Sequence, residues 1–175
     1  KSPAIILLQG KYGLKEGEII NSYPGKTSDV IKTITFKDIH SITDSRTTFY
    51  QQRWHSSESE GIQTIRELLS NNYDERSIRE LFIQFRIEEM LDKKVIYLSS
   101  GELRKFLIIR TLLTHPQILI LDNPFIGLDA ASRILLTEML AQMSEMKELQ
   151  VILLLSNPDD IPEMITHILP VRNQI

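Results

Sequence analysis

At 175 residues the chain is long enough for one domain with a sizeable core and too short for two. Its 42% hydrophobic and 25% charged composition is that of a globular protein, and a formal net charge of -3 without a Lys/Arg cluster argues against nucleic-acid binding. No cysteine is present, so disulfides and thiol chemistry are excluded, and no run approaches the roughly eighteen apolar residues of a membrane span. The lack of cysteine suits a reducing cytosol, and with no apolar span and no signal-peptide pattern any membrane link is expected to go through a partner; no internal repeat is found.

In chain order, residues 3–9 (PAIILLQ) read as a short helix closed by Gly10. Gly25, Lys26 and Thr27 imitate a phosphate-binding GKT. The loop chemistry is wrong, because Ile20 stands where a glycine is needed and Pro24 stiffens the approach. The following DVIKTITF is patterned as strand, so a basic turn between strands is expected there.

Residues 33–39 alternate and predict a strand; residues 47–50 predict a second short one, leading into Gln51 and Gln52. The polar stretch RWHSSESEG is loop-like. Its only large apolar residue, Trp54, suits a partner anchor and an internal contact alike. From residue 62 to 92 the period becomes helical. Ile62, Ile65, Leu68 and Leu69 form one stripe and Ile78, Leu81, Phe82 and Phe85 a second, with Asn71, Asn72 and Asp74 breaking and capping between them. The charges of ERSIRE and RIEE read as a solvated helix face.

Residues 98–129, LSSGELRKFLIIRTLLTHPQILILDNPFIGLD, carry the densest chemistry. Ser99, Ser100 and Gly101 set two hydroxyls and a flexible backbone before an apolar-rich helix, whose free N–H groups and positive end suit an anion such as phosphate. Ile118 to Leu121 read as a strand buried on both faces that delivers Asp122 to its carboxyl end, where a carboxylate commonly orients Mg2+ on a nucleotide. Beyond it, Leu135, Leu136, Met139, Leu140 and Met143 mark a helix packed on the sheet. Residues 149–155 predict a buried strand ending at Ser156 and Asn157, and residues 167–171 a last strand. His40, His55, His115 and His167 show no metal-ligand spacing.

On these motifs the sequence resembles the ABC (ATP-binding cassette) ATPases. LSSGE resembles their signature, with Leu98, Ser99, Ser100, Gly101 and Glu102; ILILDN resembles the Walker B strand; GLDAASR resembles the D-loop, with Asp129. The order and spacing of the three also match that family. KSPAIILLQGKYGLKEGEI resembles the family pattern from the P-loop lysine onward. The resemblance then implies that the sequence begins inside its own P-loop, as a fragment or the ordered part of a longer chain. The phosphate-cradling loop and the N-terminal antiparallel sheet, with its adenine-stacking aromatic, would precede it.

The implied fold is α/β, a P-loop NTPase-like and mostly parallel sheet with flanking helices, its first strands missing. One ABC domain is expected over residues 1–175, with an inserted helical subdomain at about residues 53–97. By the same resemblance Lys1 reaches the β- and γ-phosphates, Ser2 and Asp122 hold Mg2+, and Pro3 replaces the family threonine. Either Gln51 or Gln52 begins the Q-loop, whose amide senses Mg2+ and the attacking water; Gln51 is favoured.

Two departures bear on mechanism. The family's water-polarising glutamate is here Asn123, and its switch histidine is Asn157. An amide cannot take a proton near neutral pH, and loss of a positioned base costs about 10²- to 10⁴-fold in rate. Ser100 also replaces a usual glycine, which narrows the approach to the signature turn. The resemblance implies ATP and Mg2+ as ligands, a head-to-tail second ABC domain and a membrane transport subunit as partners, and a cytoplasmic location, peripheral on the inner face of the membrane. A degenerate transport ATPase is the leading expectation. The alternative is an ATP-gated dimerisation module with little hydrolysis, and a soluble ABC protein acting on nucleic acid or ribosomes is disfavoured by charge. A fainter resemblance links the chain to tandem ATPases associated with molybdate transport.

Overall fold

Three parallel strands in spatial order β1-β2-β3 hold the carboxyl ends of two central segments side by side. The computed structural model describes residues 26–36 and 63–170. Lys26 precedes a single helical turn, α1 (Thr27–Val30), which runs into β1 (Ile31–Thr35). The expected turn between strands at Lys26 and Thr27 is therefore a helical turn leading into one strand. That strand starts two residues ahead of the predicted 33–39 segment, because Ile31 must face Ile118 for the parallel ladder to form. Phe36 extends the pairing by one bond, its N–H donating to the Asp122 carbonyl at 2.9 Å. The helix expected over 3–9, the strand over 47–50, Trp54 and the candidate residues Lys1, Ser2, Gln51 and Gln52 lie outside the described residues.

The helical segment follows the sequence signals closely. Thr64 and Glu67 form a reciprocal capping box at the start of α2 (Ile65–Ser70), and Asp74 caps α3 (Glu75–Gln84) through the Ser77 N–H. Ile65, Leu69, Ile78, Phe82 and Phe85 are buried in the main core. Short backbone pairing closes the segment on itself: the Ile65 N–H donates to Lys93 O at 3.0 Å and the Arg66 N–H to Leu91 O at 2.9 Å. Its charges form exposed ion pairs, among them Arg66 with Glu75 and Arg76 with Glu80, as a solvated face requires.

The long helix α4 (Ser100–Leu112) then feeds β2 (Ile118–Asp122), which pairs with β1 on one side and β3 on the other. Leu119, Ile120 and Leu121 have no exposed surface, consistent with a central strand covered on both faces. After β2, α5 (Ala130–Ser144) packs through Leu136, Met139, Leu140 and Met143. Leu135, expected on that stripe, is 48% exposed: it stands at the edge of the buried face, on the side next to exposed Ile134, roughly a quarter-turn from the centre of the face formed by Leu136, Met139, Leu140 and Met143.

β3 (Gln150–Leu154) is half-buried rather than fully buried, since among the described strands it stands at the sheet edge. The strand expected over 167–171 is absent from its described residues, 167–170. Pro170 has no N–H to give a ladder, and Ile168 and Leu169 are exposed without a neighbouring strand.

Candidate functional site

The local physics of the signature-like turn is a capping box. Ser99 stands in extended backbone at the N-cap of α4, its hydroxyl accepting from the Glu102 N–H at 3.2 Å, while the Glu102 carboxylate accepts from the Ser99 N–H at 2.9 Å. Helix geometry leaves the N–H groups of Ser100 and Gly101 without intrahelical acceptors, so they supply the anion-binding end. Lys93 from the helical segment donates to Glu102 at 2.5 Å. Burial pushes the Glu102 carboxyl up, but the bonds from Lys93 and Ser99 outweigh it and hold it below its ordinary value. Leu98, just ahead of the turn, is buried and anchors it to the core.

Gly101 is where the turn meets the D-loop-like segment. A Cβ there would lie 2.8 Å from Ser132 Oγ and 3.0 Å from Ser132 Cβ. Ser132 is itself held by Asp129, the N-cap of α5: its N–H donates to Oδ1 at 2.8 Å and its hydroxyl to Oδ2 at 3.0 Å. These bonds, the backbone one first, depress the Asp129 carboxyl below its usual range. Gly127, two residues earlier, has φ 67, a left-handed conformation that glycine adopts without strain.

At the carboxyl end of β2, Asp122 is buried. Its Oδ1 accepts from Asn123 Nδ2 at 3.0 Å, while its Oδ2 is buried with no hydrogen-bond partner among the described residues. An orphaned carboxylate oxygen at this place fits a cation, since an unpaired buried acceptor is otherwise costly. Asn123 has φ 53, the left-handed region in which asparagine is one of the few tolerated side chains. Its N–H donates to Leu154 O at 2.8 Å, and its side-chain oxygen accepts from the Ser156 N–H at 3.1 Å and the Ser156 hydroxyl at 2.8 Å. Asn157 turns its own carboxamide to the Asp159 N–H at 3.2 Å, capping a short 3-10 turn over Pro158–Asp160. Asn123, Ser156, Asn157, Arg133 and Asp160 line a cleft of about 250 Å³ whose apolar wall includes Phe125 and Ile126. Among the described residues, no group of three or more acidic, His or Cys side chains forms a metal cluster.

Arg104 escaped the sequence reading. It is fully buried in α4 and donates to the Pro124 and Ile126 carbonyls, so it ties the helix to the turn between β2 and α5. Its guanidinium lies 5.2 Å over the Phe36 ring. Burial first, then the Arg133 charge, lower its pKa to about 10, which leaves it charged at neutral pH. A signal was present, since Arg104 falls on the Gly101, Ile108, Leu112 row of the helix, where an apolar residue belongs.

The structure thus places Asn123 and Asn157 on one cleft, with Asp122 buried behind it and bonded to the Asn123 amide, and joins Ser99, Gly101, Glu102 and Asp129 in a second cluster of helix starts. Ser100 opens α4 at this second place, partly exposed.

The family described as ABC transporter matches residues 1–126. The chain is 30% identical over 163 residues to an uncharacterized ABC transporter ATP-binding protein of Schizosaccharomyces pombe, covering 87% of this chain and 34% of the relative. It is 44% identical over 86 residues to the ABC transporter ATP-binding protein ModF of Escherichia coli, covering 49% of this chain and 17% of ModF. The chain therefore spans about a third or less of the length of these relatives. Among solved structures, cbiO1 from Clostridium perfringens, part of the ABC transporter complex cbiONQ, superposes with a TM-score of 0.67 at 17% identity over 92% of this chain and 64% of that one. The α/β architecture with its parallel sheet accords with that likeness in fold. This chain belongs to the ABC transporter family.

Proposed function

We propose that the chain is an ATP-binding domain of an ABC transport system whose own Walker site binds Mg-ATP and hydrolyses it poorly. The observation that carries this reading is the pair Asp122–Asn123: the buried carboxylate suits a cation, and the residue after it offers an amide already engaged by Asp122 and Ser156. Asp122 and, from the P-loop-like start, Ser2 would hold Mg2+, with Lys1 on the phosphates and Gln51 or Gln52 beside the metal. Bound Mg2+ would supply electrostatic stabilisation of the phosphoryl oxygens. No carboxylate stands at residue 123 to polarise water, and the Asn157 carboxamide is turned to its own loop. Loss of such a base accounts for about 10²- to 10⁴-fold in rate.

The signature turn then serves a different site. In a head-to-tail pair Leu98, Ser99, Ser100, Gly101, Glu102 and Asp129 complete the nucleotide site of a second ABC domain, on the same longer chain or on a partner, with a membrane subunit as the working load. We take residues 1–175 as one ABC domain, its helical subdomain at about residues 53–97, on the cytoplasmic side of a membrane. The second reading, an ATP-gated dimerisation module without transport, is favoured by the same fact that both asparagine side chains make internal bonds.

The complete protein separates these readings when Mg-ATP binding and turnover are measured side by side, with Asn123→Gln as the control change. Tight binding and turnover indifferent to Asn123→Gln support a nucleotide-holding site with catalysis elsewhere. A marked loss of turnover in Asn123→Gln contradicts it. Binding with no turnover in any form of the protein selects the dimerisation module.

A further inference from the structure

The amide at residue 123 is placed where a mere vestige need not be. Its N–H group reaches Asp122 Oδ1, its oxygen takes two bonds from Ser156, and its backbone N–H holds Leu154 O. The carboxamide thus continues the β2–β3 pairing beyond its last rung, across to the loop that begins at Leu155. Only an amide can do both jobs: a carboxylate accepts from Ser156 but has no proton for Asp122, and would set two negative charges together. The left-handed backbone of Asn123 aims the short side chain across the strands.

We propose that Asn123 is a positioning residue that ties the Asp122 carboxylate to Ser156, so that occupancy at Asp122 is transmitted to residues 155–160. The inference rests on the reading that Mg-ATP binds at Asp122. With Oδ1 committed to the Asn123 amide, Oδ2 is the oxygen left to accept a cation, and an Asp122 held by bound metal would keep the carboxamide in its bonded rotamer. The Ser156 N–H then stays paired. The loop it heads carries Asn157 and Asp160, and Asp160 pairs with Arg133 of α5, so the tie reaches the D-loop-like helix as well.

The test is hydrogen exchange at the Ser156 amide in the complete protein, with and without Mg-ATP, binding being followed by calorimetry. Mg-ATP is expected to slow that amide roughly fivefold or more, about the opening equilibrium of one neutral hydrogen bond. Asn123→Gly, which accepts the positive φ and lacks the carboxamide, should abolish this response while the β2 amides at 119–121 keep their protection. Asn123→Asp, which retains the oxygen acceptors, should keep Ser156 protected without nucleotide yet lose the response, and serves if the glycine variant does not fold. An undiminished response in either variant overturns the tie. Mg-ATP binding without any response in the unmodified protein overturns it too, leaving the proposed function intact. Failure to bind Mg-ATP overturns both.

Discussion

Gly101 and Ser132 touch so closely that the starts of α4 and α5 are interlocked: any side chain at residue 101 would meet both Ser132 Cβ and its hydroxyl. The hydroxyl cannot swing away freely because it is bonded to Asp129. Gly101→Ala should therefore destabilise the chain by about 1–3 kcal/mol, the usual cost of overpacking. Adding Ser132→Gly to that variant should recover part of the loss, giving a favourable coupling in a double-mutant cycle read from urea midpoints. Additive effects would mean that the contact is relieved elsewhere.

Arg104 holds the turn between β2 and α5 through two carbonyls, from a fully buried position. Arg104→Met should cost about 2–5 kcal/mol, because the Pro124 and Ile126 carbonyls lose their donors. Arg104→Lys should rescue little, since a point charge cannot span both carbonyls as the guanidinium fork does. Equal stability of the lysine variant and the unmodified chain, by denaturant titration, would contradict this account.

Asp129 provides the pH signature. Its folded-state carboxyl is depressed by the Ser132 N–H and hydroxyl, so its contribution is fully present above the unfolded carboxylate range, near pH 4. That contribution is lost as pH falls through the depressed folded value. Asp129→Asn, which still caps a helix but does not titrate, should lose the charge-dependent part of that contribution at pH 7 and show a flatter fall of stability below about pH 4, so that the two proteins converge in acid. Urea midpoints between pH 3 and pH 7 measure this, and an unchanged acid slope would show that Asp129 does not titrate in that transition.

Much of this architecture was legible from residue patterns, and the misses have identifiable causes. Asp74, read as a capping residue, and Ser99, read as a hydroxyl ahead of a helix, cap α3 and α4, because a cap is a local interaction whose partners lie within three residues; Thr64 and Asp129 cap α2 and α5 by the same chemistry but escaped the sequence reading as caps. The buried strand ending at Asp122 was equally plain. Three features depend on residues distant in sequence and were not: the start of β1, set by pairing with Ile118; the exposure of Leu135 at the edge of the buried face of α5, set by how that helix packs; and the burial of Arg104 against carbonyls twenty or more positions away. Asn123 was legible as a departure from the family glutamate, but its bonds to Ser156, thirty-three positions on, were not.

The central claim is that Asn123 and Asn157, rather than a failure to bind nucleotide, limit hydrolysis at this site. It is tested most directly by Asn123→Glu combined with Asn157→His in the complete protein, with turnover measured at saturating Mg-ATP. Glutamate forfeits the donation to Asp122 but supplies the missing carboxylate, and a positioned base is worth about 10²- to 10⁴-fold. The account predicts a rise of at least about tenfold, the lower part of that range reduced by imperfect placement. No rise over the unmodified protein, with Mg-ATP binding intact, would contradict it.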